Sequence, residues 1–487
     1  MTPQAQLAMV AWLPIIFYLF NRYPPRTAVM MSFLGGLMFL PERGAGFALP
    51  LIPDYTGMVA TCYGIVLALA VYDSDRLSSL KLGWTDIPML IWCICPFFSS
   101  MSNGLGAYDG FNATLTQLAK WGLPYFLGRL YFTNLDNLKE LAIGIVKGTL
   151  MYVPLCIWEG RMSPNLHLML YGYWAHPSGL TQARRYGGFR PNVFMQHGLM
   201  VGAWVMSGTL IGIWLWQAGV LQKVWGQSMK ILVWVMLFTV VWNRSTGAYA
   251  LMLLGVVILF TAKYLRTSLP LLLVICGISY YLYAGVTGTF AGDEIVHWIS
   301  DNINPDRAES LGFRFDNEEI LAEHARDRMI FGWGGWGRNR VYDYNWAGEL
   351  VDISVTDSLW IIAFGFRGVV GLASLTASLL LPVTVLCFRY PANLWFNPKV
   401  APAVSMAVTV VLFMFDSVLN SMFNPIFPLI SGGISGLVLS PRESLTARKK
   451  RKKRSSSAVN SKVQRRSKQQ KRLSRNRYAN HRIDISK

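Results

Sequence analysis

Arginine side chains that could bind a phosphate group are concentrated in one segment between two apolar runs. This segment, ARRYGGFRPNVFMQHG, places Arg184, Arg185 and Arg190 within seven residues, beside Gly187 and Gly188. Guanidinium groups bind phosphate oxygens in a bidentate manner, and glycines let a backbone approach a ligand closely. The segment therefore predicts an anion-binding loop. Anchoring of a helix end at lipid headgroups would use the same arginines.

Three further side chains, in other segments, could contact a phosphate group or take a proton. Arg244, in WNRSTGAYALML, lies in a tight turn between two apolar runs, where a lipid phosphate would be in reach. Arg314 lies near the start of an amphipathic helix that the apolar spacing predicts from Phe313 to Met329. Asp357 directly precedes an apolar run. Its carboxylate could act as a general base, as a helix N-cap, or as both.

A glycine-rich run, GWGGWGRNR, follows the predicted helix. Its glycines match GxGxxG, but no strand precedes them, and a dinucleotide site needs that strand. We interpret the run as a flexible loop over a cavity mouth, with Arg338 as a further substrate-binding candidate. His324, on the predicted helix, is a second candidate base and substrate-binding residue.

The composition shows what kind of molecule must position these groups. The chain has 487 residues, of which 53% are hydrophobic and 15% are charged, whereas soluble domains carry about 25% charged residues. This excludes a disordered chain and an ordinary cytosolic protein. The formal net charge is +19, but residues 441–487 hold 18 basic and 2 acidic side chains, so the rest is nearly neutral.

The apolar runs predict an all-α, polytopic transmembrane helical bundle of about 12–13 spans, since a helix needs about 20 mainly apolar residues to cross a bilayer. The first and eighth runs are short for a membrane span. The thirteen runs are Gln6–Phe20, Thr27–Leu40, Thr56–Tyr72, Ile87–Met101, Phe111–Phe132, Leu138–Trp158, Val193–Trp216, Ile231–Trp242, Thr246–Leu265, Leu269–Val286, Ser358–Phe388, Pro402–Leu419 and Pro425–Leu439.

Basic residues in the short loops all fall on one side if these spans alternate, and that side is predicted to be cytoplasmic. The opposite side then carries two long loops, 159–192 and 287–357, the second with 14 acidic residues, 6 arginines and no lysine. We therefore predict a membrane domain over 1–440, in which the second loop holds short helices. A disordered cytoplasmic tail over 441–487 would bind anionic lipids and no specific nucleic acid.

The sequence predicts neither a metal site nor a cofactor. All six cysteines lie in or beside apolar runs, and no ligand set such as HExxH is present. Arginines can neutralise a diphosphate without a metal ion.

The order of these elements resembles the O-antigen ligase and polysaccharide polymerase family of integral membrane glycosyltransferases, over roughly Phe111 to Leu439. In the first loop, the residues that fit the family pattern are Arg184, Gly187, Phe189, Pro191 and Asn192.

Further along the chain, the family's turn and helix arginines correspond to Arg244 and Arg314. Gly368 and Gly371 fit the GxxG of a late span. Asp357 stands where the family has a histidine. A carboxylate can perform the same proton transfer.

The resemblance implies a metal-independent, inverting glycosyltransferase of a bacterial inner membrane. Its donor would be a polyprenyl-diphosphate-linked glycan, and its acceptor a glycan or a lipid core. The implied catalytic residues are Asp357, Arg244 and Arg314, and the candidates for binding the diphosphate or glycan are Arg184, Arg185, Arg190, His324 and Arg338.

The competing hypothesis is a flippase or transporter of lipid-linked glycans. Such a protein would carry polar groups and broken helices at the bilayer midplane, with repeat symmetry between its halves. The sequence shows no clear repeat, and its polar chemistry lies on one side of the predicted bundle. This favours the enzyme.

Overall fold

A computed structural model gives the three-dimensional structure of the protein and describes residues 2–42, 47–49, 52–176, 179–185, 187–290, 292–302 and 305–442. The contacts separate a unit over 1–440 from a second unit over 441–487. Nearly all of the second unit lies outside the described residues, so the tail's role stays a prediction.

The first unit is mostly helical, which confirms the predicted all-α class. The helices are α1 Pro3–Arg22, α2 Pro25–Phe39, α3 Gly57–Tyr72, α4 Ser74–Ser78, α5 Ile87–Ser102, α6 Ala107–Gln117, α7 Leu123–Tyr131, α8 Leu135–Met162, α9 Leu166–Tyr171, α10 Gly198–Gln217, α11 Met229–Trp242, α12 Thr246–Leu265, α13 Leu269–Thr287, α14 Gly292–Asn302, α15 Pro305–Arg326, α16 Leu359–Arg389, α17 Ala401–Leu419 and α18 Ile426–Leu439.

Short β-hairpins and single helical turns lie in the segments that connect the helices. Four antiparallel hairpins pair β1 Phe47–Leu49 with β2 Ile52–Tyr55, β3 Arg184–Arg185 with β4 Gly188–Phe189, β5 Lys223–Val224 with β6 Gln227–Ser228, and β7 Tyr342–Tyr344 with β8 Leu350–Asp352. A π-helical turn, Leu118–Gly122, joins α6 to α7, and 3₁₀ turns lie at Trp84–Asp86 and Ala392–Leu394.

Seven of these helices are long and apolar enough to cross a membrane, so the chain is a multi-pass helical membrane protein. They are α1, α8, α10, α12, α13, α16 and α17. Three shorter apolar helices, α3, α11 and α18, also correspond to predicted spans. The count of 12–13 spans and the orientation stay predictions. We call the end of the bundle that carries 159–192 and 287–357 the loop face.

Two helix boundaries differ from the sequence prediction. The run predicted to begin at Val193 becomes helical only at Gly198, since His197 is the N-cap of α10. The helix predicted from Phe313 begins eight residues earlier, at Pro305, and it ends at Arg326. Proline is favoured in the first turn of a helix, which accounts for the earlier start.

Two helices are buried on nearly every side and form the centre of the bundle. α10 packs against α8, α11, α12 and α17, and α17 also contacts α13, α16 and α18. Small residues such as Gly208, whose added Cβ would lie 1.9 Å from the Thr149 hydroxyl, allow this close packing. The loop-face end of α17 is therefore held at the centre of the fold.

The opposite face contains a buried polar network. Arg129 Nε donates to both carboxylate oxygens of Asp86, at 2.9 and 3.0 Å, and both side chains are almost fully buried. Tyr125 and Ser435 donate to the same carboxylate, at 2.9 and 2.8 Å. The charge is thus paired and hydrogen-bonded, as a buried carboxylate must be. These contacts join α5, α7 and α18.

The apolar helix α16 is interrupted at Gly368, where φ is +63° and ψ is −165°. The glycine run before α16 docks on this break. Trp333 N donates to Gly365 O at 2.8 Å, and Val369 N donates to Met329 O at 2.8 Å. A Cβ added to Gly368 would lie 2.3 Å from Ile330 O. The GxxG motif therefore provides a point of close backbone contact, and the glycine run is a packed element rather than a free loop.

Gly368→Ala is expected to lower the free energy of unfolding by at least about 1–3 kcal/mol, because this φ and ψ combination is accessible essentially to glycine alone. The Cβ would also displace the docked backbone. Thermal unfolding in detergent, followed by tryptophan fluorescence, measures the effect. Gly335→Ala is the matched control, since its φ is not positive and its added Cβ meets no atom within 4 Å. Equal unfolding midpoints for the two variants would contradict this account.

Candidate functional site

A cavity of about 540 Å³, with several charged and polar side chains in its lining, opens among the loop-face ends of the helices. Its lining comes from described residues of the first long loop, the start of α10, the start of α12, and the end of α17 with 420–422, together with Arg314 of α15 and Asp357. Residues far apart in the sequence therefore meet here. We call this space the arginine cavity, after Arg185, Arg190 and Arg314 in its lining.

The arginines reach the cavity from two different loops. Arg185 is exposed on β3, and Arg190, after β4, is only 8% exposed. Arg314 projects from α15, and its Nη1 donates to Leu419 O at 3.0 Å, which fixes the guanidinium at the end of α17. A guanidinium group that donates one hydrogen bond to the protein still has other N–H donors for a ligand. The arrangement suits an anion with several oxygens.

The start of α12 adds a further positive contribution. Ser245, Thr246 and Gly247 line the cavity, and Tyr249 N to Ser245 O, at 3.1 Å, is the first hydrogen bond of the helix. The amides of a first helical turn lie outside the helix's own hydrogen-bond ladder and carry a partial positive charge. Helix N-termini bind phosphate groups for this reason.

Two carboxylates face these positive groups. Asp357 is exposed at the cavity wall, and within the described part of the chain it makes no hydrogen bond or ion pair. Ser358, not Asp357, is the N-cap of α16, so the N-cap interpretation of Asp357 is wrong. Asp416, on α17, is already engaged, since its Oδ1 accepts from Asn420 Nδ2 at 2.9 Å. Asp357 is thus the better placed proton acceptor.

Two histidines complete the wall. His197 Nδ1 accepts from Leu199 N at 3.1 Å, and Nε2 lies 3.2 Å from Gln182 Oε1. The His176 ring packs edge-on against it, with 4.9 Å between centroids. His197 lies at the start of α10 and lines the cavity.

Arg244 stands behind the cavity wall rather than in it. Its Nη1 donates to Phe189 O at 3.1 Å and to Gly160 O at 3.3 Å, and its guanidinium lies over the Trp242 ring. A Cβ added to Gly188 would lie 2.4 Å from the Arg244 guanidinium carbon. The glycine of this loop therefore makes room for Arg244, and Arg244 positions the β3–β4 hairpin.

Glu159 is a second positioning residue that the sequence did not reveal. It is fully buried at the loop-face end of α8, and it accepts hydrogen bonds from the backbone amides of Leu166, Asn192 and Val193 at 2.6–2.8 Å. Val193 has a φ of +51°, which these contacts hold in place. The carboxylate thus fixes the backbone that carries Arg190.

His324 and Arg338 lie in a different cluster, built around Trp333. The His324 ring stacks on Trp333 with 4.5 Å between centroids, and its Nε2 lies 2.9 Å from Arg338 O. Arg338 Nη1 donates to Asn103 O at 3.1 Å. Neither residue lines the arginine cavity. Arg184 is exposed on β3 and is also outside the cavity lining.

The helix that carries Arg314 also holds a buried acid one turn further on. Glu318 is 8% exposed, and its Oε2 accepts from the Tyr281 hydroxyl at 2.7 Å. Burial raises the pKa of the Glu318 carboxyl, while hydrogen bonds and the Arg314 charge partly lower it. The folded protein therefore holds this proton more tightly than the unfolded chain does.

The free energy of unfolding is expected to fall as pH rises above 4.5, the ordinary pKa of Glu, and to keep falling through the raised pKa. Glu318→Gln removes this contribution, because an amide does not titrate yet still accepts from Tyr281. Unfolding midpoints between pH 4 and 8 test this, with Glu323→Gln, at an exposed position of the same helix, as control. A pH profile unchanged by Glu318→Gln would contradict it.

No protein-family model matches the sequence, and no curated protein matches it. The function proposed below therefore rests on the geometry of the arginine cavity.

Proposed function

We propose that the chain is a membrane glycosyltransferase of the O-antigen ligase or polysaccharide polymerase type. It would transfer or polymerise a polyprenyl-diphosphate-linked glycan onto a sugar or lipid-core acceptor. One observation carries the proposal: Arg185, Arg190 and Arg314, the start of α12 and the carboxylate of Asp357 line one cavity. Positive groups for a leaving diphosphate and a base for an acceptor hydroxyl are what this transfer needs.

The reaction follows from these groups. The Asp357 carboxylate takes the proton of an acceptor hydroxyl, whose oxygen attacks the anomeric carbon of the donor sugar. The bond from that carbon to the diphosphate oxygen breaks, and the diphosphate leaves on its polyprenyl carrier with inversion at carbon. Negative charge grows on the leaving oxygen, and the preorganised arginines and helix amides stabilise it. No redox step or metal ion enters this scheme.

The proposal is tested with the purified full chain in lipid nanodiscs, supplied with a polyprenyl-diphosphate-linked oligosaccharide and a glycan acceptor. The expected products are a longer glycan and free polyprenyl diphosphate, in equal amounts. A cell that lacks the chain should accumulate the lipid-linked glycan, and wild-type protein should clear it. Absence of both products, with correctly folded protein, would overturn the proposal.

A transporter of lipid-linked glycans is the second candidate, and the breaks at Leu118–Gly122 and Gly368 favour it, since broken helices are typical of such proteins. Two observations favour the enzyme instead. The polar groups of the arginine cavity lie at the loop face, and the Asp86 and Arg129 charges at the opposite face are buried and paired with each other. Movement of a fluorescent lipid-linked oligosaccharide between leaflets, without release of diphosphate, would select the transporter.

A further inference from the structure

A second cavity of about 550 Å³ adjoins the arginine cavity, and Ser421 lines both. Most of its wall is apolar and comes from several helices of the bundle. The apolar residues of this wall include Leu37, Met58, Trp121, Met200, Ile362 and Phe366. We call this space the apolar chamber. Its shape and lining suit a hydrocarbon chain.

Two cations line the apolar chamber, Lys120 and Arg367, against a single acid, Glu42. The ion pairs of the described residues do not include either cation. Arg367 lies about 12 Å along α16 from the loop-face end, at 1.5 Å per residue. A cation at membrane depth is costly and usually marks a site for an anion or a partner charge. The lining thus combines net positive charge with an apolar wall.

Both cations also lie where a helix is interrupted. Lys120 is in the π-helical turn Leu118–Gly122, and Arg367 directly precedes the break at Gly368. π-helical turns inside α-helices occur mostly at functional sites. Where a helix is broken, backbone groups leave the helical ladder and can face a cavity. The two irregularities therefore converge on the same chamber.

We propose that the apolar chamber binds the carrier lipid of a substrate, a long-chain polyprenyl phosphate or diphosphate. The phosphate next to the hydrocarbon chain lies at Lys120 and Arg367, and the chain lies along the apolar wall. In a diphosphate, the sugar-linked phosphate is then left for the arginine cavity. Because the chamber meets the arginine cavity at Ser421, a lipid held there presents its glycan to the groups around Asp357. The identity of this lipid rests on the proposed function. The binding of an anionic, long-chain lipid does not.

Photocrosslinking tests the site directly. The full chain in nanodiscs is labelled with a polyprenyl phosphate that carries a diazirine in its chain, and the labelled peptides are identified by mass spectrometry. Label is expected on segments that contain Trp121 and Ile362. Unlabelled polyprenyl phosphate should compete, whereas polyprenyl alcohol of equal length and phosphatidylglycerol should compete at least about tenfold more weakly. Equal competition by phosphatidylglycerol would mean that the chamber binds ordinary membrane lipids, and it would overturn the proposal.

Lys120→Gln and Arg367→Gln should each reduce labelling about tenfold, since each removes one charged partner of the phosphate. Lys147→Gln is the matched control, because Lys147 lies in an apolar helix, is exposed, and lines neither cavity. Arg367→Lys keeps the charge and should keep most of the labelling, so loss of binding is separated from misfolding. Wild-type labelling in Lys120→Gln and Arg367→Gln would overturn the proposal.

The two proposals can fail separately in this design. Labelling that depends on Lys120 and Arg367, in a protein that transfers no glycan, would sustain the lipid site and reject the glycosyltransferase. Glycan transfer that is insensitive to both substitutions would sustain the glycosyltransferase and reject the lipid site.

Discussion

Asp357→Asn is expected to lower glycan transfer by about 10²–10⁴, the usual effect of losing a general base. The substitution keeps the shape of the side chain and removes its capacity to take a proton. Asp357 is exposed and unpaired within the described residues, so protein levels and the unfolding midpoint should stay near those of the wild type. The measurement is polyprenyl diphosphate released per enzyme under single-turnover conditions.

Asp416→Asn is the informative comparison for this prediction. Asp416 lines the same cavity, but its Oδ1 accepts from Asn420, so its carboxylate orders the end of α17. We expect a smaller loss of transfer than in Asp357→Asn. If Asp357→Asn were fully active and Asp416→Asn inactive, the base would be Asp416, and the assignment drawn from sequence order would be wrong.

The sequence predicted the helical class because long apolar runs leave few alternatives to membrane helices. Four of its site candidates line the arginine cavity, namely Arg185, Arg190, Arg314 and Asp357. They were candidates because charges placed between apolar runs lie near the membrane surface. Their convergence in one cavity could not be derived, because it depends on how α15 packs beside α17. That packing is a property of the tertiary structure alone.

Several of the predicted site residues lie outside the arginine cavity. Arg244 matches a family position, yet its guanidinium is bound to the backbone of the β3–β4 hairpin, a contact that no spacing reveals. His324 and Arg338 share the loop face with the cavity but pack around Trp333 instead. The sequence places Asp416 near the end of an apolar run. Only the packing of α17 in the tertiary structure brings its side chain into the cavity lining.

Arg314→Gln is expected to reduce kcat/KM for the lipid-linked donor by about 10²–10³, in the range found for the loss of one preorganised donor to a developing anion. Glutamine removes the charge together with the Nη1 donor to Leu419 O, so the unfolding midpoint of the variant is measured in parallel. The loss should fall mainly on kcat, because the charge on the leaving diphosphate grows in the transition state.

Arg314→Lys separates charge from geometry in the same assay. It restores the positive charge but cannot present a planar fork, so an intermediate kcat would indicate bidentate contact with phosphate oxygens. Arg340→Gln is the control, since Arg340 lies outside the cavity lining and pairs with Asp352 near the β7–β8 hairpin. A rise in KM alone for Arg314→Gln would mean that Arg314 binds the donor equally in its ground and transition states. Leaving-group stabilisation would then fall to Arg185, Arg190 and the start of α12.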